Sequence, residues 1–162
     1  MTKTYLNRNV AEVREAVAQT CRAHGRDPAD VTLVAAIKSA EVDEINYIHN
    51  ELGVNDIGEN RVQEIMEKYD FVKPVRWHLI GHLQKNKVKY IIDKVCLIQS
   101  LDRMNLALEI DRQASKSGVV MPVLVQVSPA GEAQKGGMPP EEVRPFLQEV
   151  SRMPGLHVQG LM

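Results

Sequence analysis

The sequence predicts an α/β protein of the (β/α)8 TIM-barrel type, here with about six of the eight strands. Three observations carry this. Short apolar runs alternate with helical patterns along the chain, the runs are almost wholly apolar, and polar residues fall at or just past their carboxyl ends. Strand–helix alternation with apolar strands means a parallel sheet covered by helices on its outside. Polar residues at nearly every strand end suit a closed ring, whose chemistry sits on that face. An open doubly wound sheet also fits the alternation, but it binds ligands only around its switch point, and the first strand lacks the G-x-G-x-x-G turn of the dinucleotide-binding version. Six strands in 162 residues fall short of the ~250 typical of a complete barrel, so residues 1–162 are read as a single, incomplete barrel domain.

The elements follow in order. Asn9 followed by Glu12 resembles a capping box, Val10, Val13, Val17 and Cys21 recur at helical spacing, and Gly25 with Pro28 ends that helix. Strand-like runs then stand at 31–37 (VTLVAAI), 53–58, 75–81, 95–100, 121–128 and 156–162. Helical patterns lie between them near 41–51, 60–70, 84–93, 103–117 and 140–152, with Asp102 and Pro139–Pro140 as start signals.

Composition removes several function classes. The formal net charge of −1 provides no field for holding polyanions, so neither nucleic acid nor an acidic membrane is expected as a partner. The amino-terminal residues lack the apolar core of a signal peptide, and no apolar run approaches the length of a membrane span. Cys21 and Cys96 lack paired-ligand spacing and are expected to be reduced thiols in a cytoplasmic protein.

Lys38 closes the first apolar strand. One reading is a lysine that reaches solvent along its own stem. The other is an amine in a barrel mouth, where desolvation lowers its pKa and frees the lone pair to attack a carbonyl. Asn60, within DIGENRVQE (56–64), offers an amide to a ligand oxygen, against the plainer reading of a strand, turn and helix start with favourable acidic charge. His78, within WHLIGHLQKNK (77–87), is either a satisfied core histidine or a ligand-facing one. Lys85, Lys87, Lys89 and Lys94 read as a solvated helix face rather than a phosphate site, and the glycines at 131, 136 and 137 mark a loop without a P-loop pattern. The five histidines include no helical metal-binding pair, and no serine sits in a nucleophile elbow, so neither a metal site nor a serine triad is expected.

Taken together, LVAAIKSA around Lys38, IGENRVQE (57–64), WHLIGHLQKNK (77–87), QSLDR (99–103), VLVQVSPAGEAQKGG (123–137) and GLM (160–162) resemble the pyridoxal 5′-phosphate homeostasis protein family, in that family's order and spacing. The resemblance implies a barrel like the alanine racemase N-terminal domain, with pyridoxal phosphate held as a Schiff base on Lys38. It places Asn60, His78 and Met162 near that cofactor. It further implies a cytosolic, often monomeric protein that balances vitamin B6 pools, passes cofactor to apo pyridoxal-phosphate enzymes and has no turnover of its own. The alternatives are a racemase or Schiff-base lyase using the same lysine, or a scaffold fragment without cofactor. Ile37 and Ser39–Ala40–Glu41 depart from the family's usual serine before and T-K-P after the lysine. The family also continues past G-L-M through the last barrel units and their phosphate cradle, so a chain with these boundaries is expected to expose sheet edges and to pair with another copy.

Overall fold

Six strands, β1 (Val34–Ala36), β2 (Asp56–Glu59), β3 (Arg76–Leu79), β4 (Leu97–Leu101), β5 (Met121–Val125) and β6 (Leu156–Leu161), form one sheet in chain order, every neighbouring pair parallel. The computed structural model describes residues 3–72, 74–129 and 136–162. Parallel neighbours need a crossover, and the helices supply it: α2 (Val42–Asn50), α3 (Val62–Lys68), α4 (Met104–Ser117) and α5 (Pro140–Val150), with α1 (Thr4–Ala23) ahead of β1. Between β3 and β4 the crossover is only a 3-10 segment, Lys85–Tyr90, where a helix over 84–93 is expected from the sequence.

The registers Val34↔Asp56, Ile57↔Trp77, Gly58↔His78 and Leu79↔Ile98 sort the strand residues onto two faces. Ile57, Trp77, Leu79, Ile98 and Val123 point to the helices and join Ile45, Ile65, Leu106 and Ile110 in one buried core. Each such side chain contributes roughly 1.5–3 kcal/mol by leaving water. The opposite face carries Asp56, Arg76, His78, Leu97 and Gln99. A cavity of about 510 Å³ on that face touches Val34 of β1 and Gln159 of β6, so the sheet curls into a trough whose two edge strands face one hollow.

Several expectations are corrected here. The strands are not almost wholly apolar: D-I-G-E, R-W-H-L and L-I-Q-S-L alternate, because only one face meets the helices. The first strand is three residues long rather than 31–37, and Val31 and Ala36 are exposed, because β1 is an edge strand paired only with β2. The first helix starts at Thr4, which makes Asn9 an interior residue rather than a cap. Its early turns are fastened to α2, with Tyr5 donating to Glu44 and the Tyr47 hydroxyl donating to Asn7 at 2.8 Å. Along its predicted apolar stripe only Cys21 is buried, since little of the sheet lies beneath the helix. Asp102 does not cap α4: Arg103 precedes that helix, and the Asp102 carboxylate is taken by Arg103 and approached by His82 at 3.7 Å.

Other readings hold. Gly25 adopts φ +64 just past α1, a conformation that favours glycine, and Pro139–Pro140 open α5. Both cysteines are free thiols. Residues 130–135 of the glycine-bearing loop, including Gly131, lie outside the described residues. Among the described residues no helix is long and apolar enough to cross a membrane.

Candidate functional site at the carboxyl rim of the sheet

Strand register decides which predicted residues meet. Ala36 lies opposite Gly58, so Lys38 and Asn60, each two residues further on, stand level on adjacent connections. The Ile37 amide still donates to the Gly58 carbonyl at 2.9 Å, which keeps that level fixed. Ile37 is buried toward the helices, and Lys38 follows it in the turn after β1. Of the two readings of Lys38, the solvent-reaching one describes its exposure: the residue is exposed, because β1 is an edge strand paired only with β2 among the described residues. Among the described residues its amine makes no hydrogen bond or ion pair.

Asn60 is positioned by its neighbour. The buried Glu59 carboxylate turns back so that Oε1 accepts from the Asn60 amide at 2.6 Å and the Arg61 amide at 3.2 Å. From the other side, Gly81 lies against the Asn60 backbone: a Cβ at that position would come within 2.5 Å of the Asn60 carbonyl oxygen. Only glycine fits, and the connections after β2 and β3 touch there. Ser100 then donates to the Gly81 carbonyl at 2.6 Å and Arg103 to the Leu83 carbonyl at 2.6 Å, tying the β3 connection to the end of β4.

His78 lies one row deeper, beside Gly58, and is buried. Its Nδ1 accepts from the Gln99 amide nitrogen at 3.0 Å, which can only donate. That leaves Nε2–H to donate to Asp56 Oδ1 at 2.9 Å. Arg76 grips the same carboxylate, Nε to Oδ1 at 2.7 Å and Nη2 to Oδ2. Burial works to raise the Asp56 carboxyl, but the hydrogen bonds and charges of Arg76 and His78 outweigh it and hold the carboxyl below the usual range. Both ring nitrogens of His78 are therefore committed, and the residue braces the floor of the trough. Cys96 lines the same hollow, where burial and the Asp56 charge push its thiol up, the wrong direction for a nucleophile. Met162 sits at the same end of the sheet as Lys38 but on the opposite edge; its backbone pairs with Val125 and Val127 and its side chain is half exposed. Register thus sets Lys38 and Asn60 just past the ends of adjacent strands, with His78 one row deeper on β3, and separates Met162 by the width of the sheet. Asp56, Arg76 and Gln99 were not singled out from sequence. The available signal was their spacing: each lies two residues from Gly58, His78 or Leu97 and so shares the trough face.

The chain matches the family described as "Alanine racemase, N-terminal domain" over residues 6–162. It is 41% identical over 155 residues to the pyridoxal phosphate homeostasis protein of Aquifex aeolicus, an alignment covering 94% of this chain and 68% of that protein. The protein of the same name from Pseudomonas aeruginosa is 33% identical over 156 residues, covering 95% and 67%. Among solved structures, PipY of Synechococcus elongatus with pyridoxal phosphate bound superposes with a TM-score of 0.78 at 29% identity, over 90% of this chain and 68% of that one. An alanine racemase of Clostridium difficile, 16% identical with a TM-score of 0.65 over 82% of this chain and 35% of its own, shares the fold. The chain spans about two thirds of the length of the homeostasis relatives it matches. Identity at this level over nearly the whole chain, on a curled parallel sheet with its amine at the end of β1, places the chain in the pyridoxal phosphate homeostasis protein family, on the fold of the alanine racemase N-terminal domain.

Proposed function

We propose that this chain binds pyridoxal phosphate through Lys38 and serves intracellular vitamin B6 homeostasis as a carrier rather than as a catalyst. The observation that carries this is a primary amine just past the end of β1, unpaired among the described residues and level in register with Asn60, in a chain of this family. Bound pyridoxal phosphate supplies an aldehyde that condenses with a primary amine. The residues present fit that group at its aldehyde end: among the described residues the Lys38 amine is free of any carboxylate, and Asn60 follows the neighbouring strand with its backbone clamped by Glu59. His78, fixed between Asp56 and Gln99, keeps the trough floor in place beneath them. Met162 would join them only across the hollow, from the other edge.

A carrier role rather than turnover is supported by the acid–base groups near the rim. The tyrosines lie elsewhere: Tyr5 and Tyr47 join α1 to α2, Tyr69 packs on Trp77 behind the sheet, and Tyr90 ends the 3-10 segment. The His78 ring has no nitrogen left for a substrate proton. The setting is the cytoplasm, and apo pyridoxal-phosphate enzymes are the recipients. The open edges of β1 and β6 make self-association the expected behaviour of a chain with these boundaries.

Reductive trapping tests the reading. After incubation with pyridoxal phosphate and reduction with borohydride, mass spectrometry is expected to locate the adduct on the peptide containing Lys38, and Lys38→Ala to abolish it. An adduct elsewhere, unaffected by that substitution, refutes the assignment. L-alanine incubated with the loaded protein is expected to yield no D-alanine.

A further inference from the structure

A cleft of about 470 Å³ opens between the β2–α3 connection and the segment following β3. Arg61 and Gln63 stand on one wall with Asn60, Val62 and Glu64, and Gln84 and Lys87 on the other with His82. We propose that this cleft is a binding site for a phosphate monoester dianion, separate from the Lys38 amine.

Charge is the first argument. Lys68, Arg76, Lys94 and Arg103 each hold a carboxylate within ion-pair distance. Arg61 and Lys87 hold none among the described residues. The acid on the cleft wall, Glu64, is already bound by Lys68 at 2.9 Å. Two unneutralised cations thus face one hollow in a chain whose net charge is −1. Of the four lysines near the β3 connection, Lys87 alone lines the cleft: Lys94 is on Asp93, Lys89 lies over the Tyr90 ring and Lys85 acts on Glu109.

Preorganisation is the second. Both walls are fixed by contacts that involve no ligand: the Glu59 clamp on the Asn60 and Arg61 amides, the Gly81–Asn60 backbone contact, and the Ser100 and Arg103 bonds to the Gly81 and Leu83 carbonyls. The backbone segments that carry the two cations are therefore held on opposite sides of an opening. Side-chain amides of Asn60, Gln63 and Gln84 add neutral donors on both walls. A monoester phosphate carries about −1.5 to −2 charge and three acceptor oxygens, which matches two cations and amide donors on opposite walls better than a single carboxylate does. The volume exceeds what a bare phosphate needs and lies within the range of small-molecule sites. A continuous basic stripe, which a nucleic acid requires, is absent among the described residues around the cleft.

Pyridoxine 5′-phosphate is the chosen probe, because it has the phosphate monoester but no aldehyde to condense with Lys38. Calorimetric titration, with side-chain amide resonances followed by NMR, is expected to show saturable binding that shifts the Gln63 and Gln84 signals and weakens with salt. Arg61→Ala and Lys87→Ala should each weaken it at least tenfold, and Arg61→Lys should recover part of the loss. Arg61 is exposed and Lys87 half-buried, and neither belongs to the core, so these variants are expected to retain the fold, checked by circular dichroism. Inorganic phosphate as a second probe tells whether the ester's organic part adds affinity, and pyridoxine without phosphate should not bind. Affinity unchanged in the Arg61→Ala/Lys87→Ala double variant, or no saturable response to either phosphate compound, overturns the proposal. Neither result depends on whether Lys38 traps the cofactor, so the two readings fail separately.

Discussion

The two faces of the central strands are built from alternate residues of the same short segments, and they solve opposite problems. Behind the sheet, Ile57, Trp77, Leu79 and Ile98 are sealed by helices and need only shape and apolar surface. In the trough, Asp56, Arg76, His78 and Gln99 are polar and must satisfy one another, which they do through the bonds His78–Asp56, Gln99–His78 and Arg76–Asp56. The difference teaches that burial alone does not choose residue type. A face that will be dehydrated by close packing takes hydrocarbon, whereas a face bordering a hollow takes polar groups with complete hydrogen bonding.

The contrast is broken most severely from behind. Trp77 is buried and lies against Tyr69 with ring centroids 6.2 Å apart, so Trp77→Ala is expected to cost about 3–5 kcal/mol, measured by urea denaturation. On the trough face, Asp56→Asn removes a buried charge-assisted pair and is expected to cost about 1–3 kcal/mol near neutral pH, less than the packing variant because Arg76 remains solvated. The pH dependence sharpens this. Asp56 has a folded-state pKa below its unfolded value of ~3.9, so its contribution is present above that pH and is lost as pH falls through the folded value. The stability gap between the parent chain and Asp56→Asn should therefore close in acid; a gap unchanged down to the acid transition would show that the carboxylate charge is not what matters. The smallest effect belongs to neither face: Val13 on α1 is 45% exposed, and Val13→Ser is expected to change stability by no more than about 0.5 kcal/mol.

Strand–helix alternation, the number of strands, the proline start of α5 and the glycine end of α1 were all legible in the sequence, because each depends on local period or backbone conformation. Lys38 and Asn60 were legible as strand-end polar residues for the same reason. The Asn9 cap failed because α1 gains its first turn from contacts with α2, which no local signal announces. The apolar stripe of α1 failed because periodicity reports a face without reporting what covers it.

The resemblance and the position of Lys38 at the end of an apolar run come from the order of the residues themselves. Composition and hydrophobic period determined a parallel α/β sheet with chemistry at its carboxyl ends, since these depend on residues near in the chain. Only the tertiary structure decided that His78 is committed to Asp56 and Gln99, that Lys38 is exposed, and that Arg61 and Lys87 share a cleft. Those outcomes depend on strand register and on which edge has a neighbour, and both are set by pairings between segments about 20 residues or more apart.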